Sequence, residues 1–454
     1  AHFRALLDPA AHGPASSAVP GSVAGLNLAE HRYGRLSLEQ VIEPAIALAN
    51  AGHRVSEREA LTLRWAWRKL NSAARRQFSG PHGAVHAGDW LVRADLGRTL
   101  ERIIESGDDG FYDGETARAI VRAMGDVGLI RARDLREYHA VERPPVVFRY
   151  RGYEVFGMPP PSWGGLSVAQ ITLALAKLDT RPWPTGSADE IHLFAELARR
   201  AQAERRFDVE GLGPDPDAIS AEQLAEQVRR FERAEAVPPL DLTHATPSRR
   251  VHPGYMALER EPDHTTHLSV IDAEGNAVSC TTTLSAGFGA GYVVPTTGIV
   301  MNNSLAAFSG AGSNLPEPGR RMRSSMDPTL VMRAGRVAAV LGSPGGETIP
   351  STVVQVLRNL MDYGMTIDRA IEAPRIHQSF VPDELRIERE RPLAAEVLAE
   401  LRARGHTLSS KLQPIGAAND LVVVDGTAYG HADSREGGLA LAARPRKAQL
   451  DARR

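Results

Sequence analysis

One cysteine, Cys280, is all that this 454-residue chain contains, so neither an intrachain disulfide nor a thiolate metal cluster can form. An excess of charge of either sign is also missing: 53 basic against 55 acidic side chains leave a formal net charge of −2. That balance gives no field to gather nucleic acid or an anionic membrane, and leaves a small molecule as the expected partner. No uncharged run approaches the roughly 20 apolar residues needed to span a bilayer. Residues 1–11 include Arg4 and Asp8 and lack the apolar stretch of a signal peptide, which favours a soluble, cytoplasmic protein over a periplasmic or secreted one. Internal repeats, low-complexity segments and the G-x-S-x-G elbow of a serine hydrolase are absent too.

What is present is an ordinary globular composition, 43% hydrophobic and 24% charged, in two textures. From about residue 36 to 235 the apolar periodicity is mainly helical. Leu38, Val41, Ile42, Ala45, Ile46 and Leu48 recur at three and four residues, and Gly52 ends the run. The same spacing predicts helices over 95–105, 115–124, 168–178 and 188–206, while the Arg/Glu-rich stretch 221–236 reads as the solvated face of another. The prolines of MPPPSWGG, 158–165, lack the amide donor and fix φ, so no helix continues through them. From Thr265 the sequence alternates about a turn at 273–276, a hairpin signal. Short apolar runs at 298–301, 329–332, 337–341 and 421–424 read as strands, with helices at 351–363 and 394–404. Strands interleaved with helices indicate an α+β or layered α/β fold.

Several patterns suggest chemistry that their context does not support. His264 and His267, three apart, make a poor metal site by themselves, so no metal or cofactor is expected. GFGAG, 287–291, leads into Tyr292-Val293-Val294 rather than the helix a dinucleotide loop requires. Cys280 is expected to face inward as a small core residue. GSPGG, 342–346, has its serine second and followed by proline; its paired glycines suit a loop whose backbone amides approach a ligand closely.

The segment DHTTHLSVIDAEGNAVSCTTTLSAGFGAGYVVPTTGIVMNN, 263–303, resembles the surroundings of the processing site in the γ-glutamyltranspeptidase family. VPGSVAGL, GFYDGETARAI, AVERPPVVFRYRGYEVFGMPPPSWGGL, RRMRSSMDPTLV, GSPGGETI and APRIHQSF resemble further family motifs, in family order. The resemblance implies a four-layer αββα sandwich of the N-terminal-nucleophile hydrolase type. It also implies a shortened N-terminal part, because the family's glycine-rich strand upstream of an FREMAP-like segment has no counterpart here. A precursor would be cut between His264 and Thr265 into a large region, 1–264, and a small region, 265–454, which remain associated; a dimer of such pairs is a further option. Thr265 would then carry hydroxyl and α-amine on one residue, and a neutral amine can accept the hydroxyl proton. Thr283 matches the threonine that orients the nucleophile, and Gly345 and Gly346 match the oxyanion-hole pair. The implied reaction moves a carboxylate-bearing acyl group, γ-glutamyl or a des-amino analogue, through an ester on Thr265 to water or an amine, as in glutathione metabolism.

Substrate recognition is where the pattern changes. Ser324 and Ser325 match the family's carboxylate-binding serines, and Arg4 in HFRALLDP is matched to its carboxylate-binding arginine. The three positions that normally hold the substrate α-amine are instead Ser285, Ser304 and Ala307. Without an anionic partner a desolvated ammonium costs several kcal/mol, which favours acyl groups lacking the amine, as in the family's cephalosporin-acylase and oxamate-amidohydrolase members. The span 308–322 is short, so the lid found in some members is expected to be reduced. Two other readings stay open: an unprocessed, inactive remnant, which would run as one band on a denaturing gel, and a carboxylate-binding protein, whose affinity would survive loss of the Thr265 hydroxyl.

Overall fold

The computed structural model describes residues 11–443 apart from 81, 179–180, 182, 208–219, 233–264 and 309–313; Arg4 and His264 therefore lie outside the described residues. Buried Val146, Phe148 and Tyr150 alternate with exposed Val147 and Arg149 to make β1 (Val146–Tyr150). Arg151 and Gly152, at φ 50° and 83°, turn it back into β2 (Tyr153–Gly157) as a two-residue hairpin loop. The sequence at Thr265 folds as read, into a hairpin of β3 (Thr265–Ile271) and β4 (Ala277–Thr283). The Asp272 side chain accepts the backbone N–H of Glu274 (3.0 Å) and of Asn276 (2.8 Å) inside its turn.

Next come β5 (Thr329–Arg333), β6 (Arg336–Leu341), the small pair β7 (Ile376–Ser379) and β8 (Glu384–Ile387), then β9 (Asn419–Val424) and β10 (Thr427–Ala432). Six strands form one antiparallel sheet in the order β10-β9-β6-β5-β2-β1. The sheet thus joins strands from both sides of residue 264. The β3–β4 hairpin packs over β5, β6 and β9 as a second layer.

The other face of the large sheet carries helices. Leu166, Leu173 and Leu175 of α5 (Gly164–Leu178 in a numbering that starts from α1, Ser22–Tyr33; α2, Leu38–Ala51; α3, Ala94–Ser106; and α4, Gly114–Met124) join Phe194 of α6 (Ala188–Phe207), Val228 of α7 (Ala221–Glu232) and Val353 and Leu357 of α8 (Ile349–Met361). They close on Val146, Phe148, Val155, Val331 and Leu341 in one core, the packing an α+β sandwich requires. Two shorter helices follow, α9 (Ile367–Glu372) and α10 (Ala395–Ala403). A second core unites Ala24 of α1, Ile103 of α3 and Ile120 and Met124 of α4 with Val294 and Met301. The helices read from periodicity are all present, the segment 221–236 as 221–232 of its described part.

Two expectations are corrected. The run 298–301 is not a strand; it contributes only a bridge between Val293 and Val300. (The mainly helical region before 265 also holds the β1–β2 hairpin.) Cys280 does not face inward: it lies on the hairpin's outer face opposite Leu268, with Val270 and Val278 exposed nearby. The inner face is polar instead because it hydrogen-bonds to the sheet's end. Ser279 Oγ donates to the Leu341 carbonyl (2.8 Å) and accepts the Thr329 N–H (3.0 Å), so polar side chains there gain partners that apolar ones could not use.

Candidate functional site

The hairpin's register sets Thr265, the first residue of β3, directly across from Thr283, the last of β4. Their hydroxyl oxygens are 3.2 Å apart. Thr283 Oγ1 also accepts the Ser285 N–H at 2.9 Å, which Ser285 reaches by adopting a positive φ of 76°. This turn is pinned by Asn303, whose Oδ1 accepts the Ala286 N–H (2.8 Å), and neighbouring Asn302 Oδ1 accepts the N–H groups of Ala18 and Ser304.

The progression of contacts along β3 fixes where Thr265 stands. Ser269 Oγ donates to the Val340 carbonyl (3.4 Å), and the His267 ring lies on Gly342, where an added Cβ would meet it at 2.1 Å. The same direction carries Thr265 past the end of β6, to the side where the 342–346 loop emerges. Gly345 and Gly346 sit there at φ 130° and 54°, a conformation that suits glycine. A Cβ on Gly345 would meet Thr348 Oγ1 at 2.4 Å, and that hydroxyl donates to the Gly345 carbonyl (2.8 Å).

Ser324 and Ser325 are brought to the same end of the sheet, because Thr329 pairs with Leu341. Their loop interlocks with the proline-rich one: Trp163 N–H donates to the Ser324 carbonyl (2.9 Å) and Ser324 N–H to the Pro161 carbonyl (3.2 Å). Ser325 Oγ is buried and has no hydrogen-bond partner among the described residues. Ser285 and Ser304 are buried beside the Thr283 turn, and the Ala307 carbonyl accepts from Asn314 Nδ2 (2.7 Å).

His267 is not available as a base. Its ring nitrogens contact Thr281 Oγ1 (2.8 Å) and Ser269 Oγ (3.0 Å), and burial pushes its pKa down to about 4, leaving a neutral ring that braces the hairpin. Asp327 is wholly buried in the interlocked loops, accepting from Met158 N–H (2.8 Å) and Thr329 Oγ1 (3.0 Å), and burial pushes its pKa up to about 7. The unfolded carboxyl ionises near 4, the folded one not until about 7, so each pH unit between costs the fold about 1.4 kcal/mol. Asp327→Asn should therefore be destabilised relative to the unmodified protein least, or even stabilised, at pH 7–8 and show a flatter stability profile between pH 4 and 7. Urea midpoints across that range check this; parallel profiles would contradict it.

Sequence reasoning missed one cluster. His192 and Glu196, one helical turn apart on α6, and His406 each bring a ligand-capable atom within 4.8 Å of the others, all buried. His192 Nδ1 and His406 Nε2 are 2.8 Å apart, which is hydrogen-bond spacing. Glu196 is paired with Arg199, which also donates to Asp383 (2.9 Å). Burial, then His192 and Arg199, push the His406 pKa down to about 4. These contacts tie α6 to residues on the far side of position 264; the His-x-x-x-Glu spacing was the signal available.

A threonine-headed hairpin laid over an antiparallel sheet, with a glycine loop at its head and helices behind, is the arrangement of an N-terminal-nucleophile hydrolase. The chain belongs to the γ-glutamyltranspeptidase family: the family model described as Gamma-glutamyltranspeptidase matches residues 3–443. It is 37% identical over 437 residues to the glutathione hydrolase proenzyme of Escherichia coli (strain K12), covering 92% of this chain and 74% of that protein. The acylase ACY 1 proenzyme of Pseudomonas sp. (strain SE83) is 32% identical over 437 residues, with coverage of 95% and 76%. The fold is shared with a cephalosporin acylase from Bacillus halodurans, at TM-score 0.81 and 23% identity, covering 96% of this chain and 80% of that one. The protein is accordingly a family amidohydrolase or acyltransferase with the αββα sandwich. No described helix is long and apolar enough to cross a membrane.

Proposed function

We propose that this chain matures by cleavage between His264 and Thr265 and then hydrolyses or transfers a carboxylate-bearing acyl group through an ester on Thr265. The observation that carries the reading is the 3.2 Å hydroxyl pair of Thr265 and Thr283 at the open end of the hairpin, inside the segment that resembles the family's processing site. Once freed, the Thr265 α-amine has a reference pKa of about 7.7–8.0 and can take the hydroxyl proton as the oxygen attacks the amide carbon. Thr283, held by the Ser285 N–H, orients that hydroxyl. The backbone amides of Gly345 and Gly346 receive the tetrahedral oxyanion. The leaving amine departs with the proton, and water or a second amine resolves the ester.

Ser324 and Ser325 address the acyl group's carboxylate, with Arg4 as a third contact. Relatives named glutathione hydrolase and acylase proenzymes make γ-glutamyl amides and bulkier des-amino acyl amides the two substrate classes to compare. A denaturing gel of purified protein should resolve two fragments, and N-terminal sequencing of the smaller should begin Thr265-Thr266-His267. A smaller fragment starting anywhere else removes the amine from the nucleophile and sinks the mechanism.

A further inference from the structure

Three neighbouring features at the end of β9 have no part in the chemistry described so far. Asp420 is buried, at 2% exposure, and its Oδ1 accepts the Gly342 N–H at 2.8 Å. Asn419, next to it, directs Nδ2 to the His267 carbonyl at 3.4 Å. Ser343 Oγ, one residue along the glycine loop, accepts the Ala417 N–H at 2.9 Å. The loop that follows β6 and the strand that begins with Thr265 are therefore both fastened to one short stretch, 417–420. His267 and Gly342 touch each other as well, so the three segments close into a unit.

We propose that Asp420 is a positioning residue for the reaction, acting through Gly342 to hold the glycine loop against the nucleophile strand, and that the proton on its carboxyl keeps that loop competent. This rests on the reading of Thr265, Gly345 and Gly346 given above. As a neutral acid, Asp420 caps Gly342 without adding charge. As a carboxylate, it sets a negative charge three residues from the amides that must receive an oxyanion, where the low dielectric strengthens repulsion.

The surroundings favour the neutral form. Burial pushes the Asp420 pKa up to about 8; Arg375 opposes that shift and Asp433 adds to it. Both neighbours are already engaged: Arg375 pairs with Asp433 at 2.8 Å, and Arg435 binds Asp433 (3.1 Å) and Glu388 (2.5 Å). From the hairpin side the facing titratable group is His267, neutral by burial. On β10, His431 stands opposite Asp420 and is held by Glu372 at 2.9 Å. Among the described residues Arg375 is the cation that acts on Asp420, and it is shared with Asp433.

Amide hydrolysis by the matured enzyme should rise as the Thr265 amine loses its proton, near pH 8 by its reference value, and fall again as Asp420 ionises. The measurement is kcat against pH from 6 to 10, normalised to the active fraction by an acyl-enzyme burst, for the unmodified protein, Asp420→Asn and Asp420→Ala. Asp420→Asn should keep the rising limb and lose the alkaline fall. Asp420→Ala leaves the Gly342 N–H without its acceptor and should lower kcat roughly 10- to 100-fold, with KM changed less than about threefold, since loop geometry rather than ground-state binding is disturbed. An Asn variant that retains the alkaline limb overturns the role of Asp420 while leaving Thr265 chemistry intact. A processed, unmodified protein with no Thr265-dependent hydrolysis overturns the functional reading itself.

Discussion

Thr265→Ala is expected to remain one uncut chain and to lose amidase activity by roughly 10⁴-fold or more, the scale on which removing a covalent nucleophile acts. Both losses trace to one oxygen. On the proposed mechanism it attacks the carbonyl of His264 in the precursor, breaking the chain, and the substrate amide in the mature enzyme. The neighbouring hydroxyl of Thr283, 3.2 Å away, cannot take over, because it sits at the far end of β4 with no α-amine of its own to accept a proton. Thr265→Ser keeps the oxygen and should keep part of both activities. The readouts are a denaturing gel and steady-state hydrolysis of one amide. Substantial turnover by the alanine variant would mean that another residue is the nucleophile.

How much of this was legible in the sequence depended on whether the signal was local. The helix at Leu38–Ala51 was readable because its periodicity and its Gly52 stop lie within one stretch; the Ser37 cap that the fold shows is as local. The β3–β4 hairpin was readable for the same reason. The Val146–Gly157 hairpin carries clear alternation and a positive-φ Arg-Gly turn, yet it is embedded among helices, and the segment was read by its majority texture. Cys280 was misplaced for a deeper reason. Alternation gives two faces but not which one is buried, and here the polar face turns inward because Ser269 and Ser279 satisfy carbonyls at the sheet's end.

The site divides along the same line. Thr265, Thr283, Gly345, Gly346, Ser324 and Ser325 were proposed from motifs, each a short string. Asp420 lies in no motif and Asp327 in one, RRMRSSMDPTLV, that drew attention to its serines instead; what sets both acids apart is deep burial, which only the folded chain reveals. The His192–Glu196–His406 contact likewise joins residues more than 200 positions apart, a distance no local pattern can bridge.

The last expected result concerns the acyl group: a glutaryl-type amide should be a better substrate than the matching γ-glutamyl amide, which differs only by its α-amine. Ser285, Ser304 and Ala307 put two hydroxyls and a methyl at the positions from which the family holds that ammonium, and none carries a formal charge. Asp327, the acid closest in sequence to Ser324 and Ser325, does not substitute. It is turned into the interlocked loops, spends its oxygens on Met158 N–H and Thr329 Oγ1, and has a pKa pushed up to about 7. Ser325 Oγ, by contrast, is buried without a partner among the described residues, and on the proposed function it is one of the two hydroxyls that address the carboxylate. Losing a paired ammonium contact should remove on the order of 2–4 kcal/mol of transition-state binding, roughly 30- to 1,000-fold in kcat/KM. Combining Ser304→Gln with Ala307→Asp should return preference toward the γ-glutamyl amide by restoring an anionic partner. The comparison takes one steady-state assay on two substrates, before and after the double substitution. A tenfold or greater preference of the unmodified enzyme for the γ-glutamyl amide would place the ammonium contact on a residue other than these three.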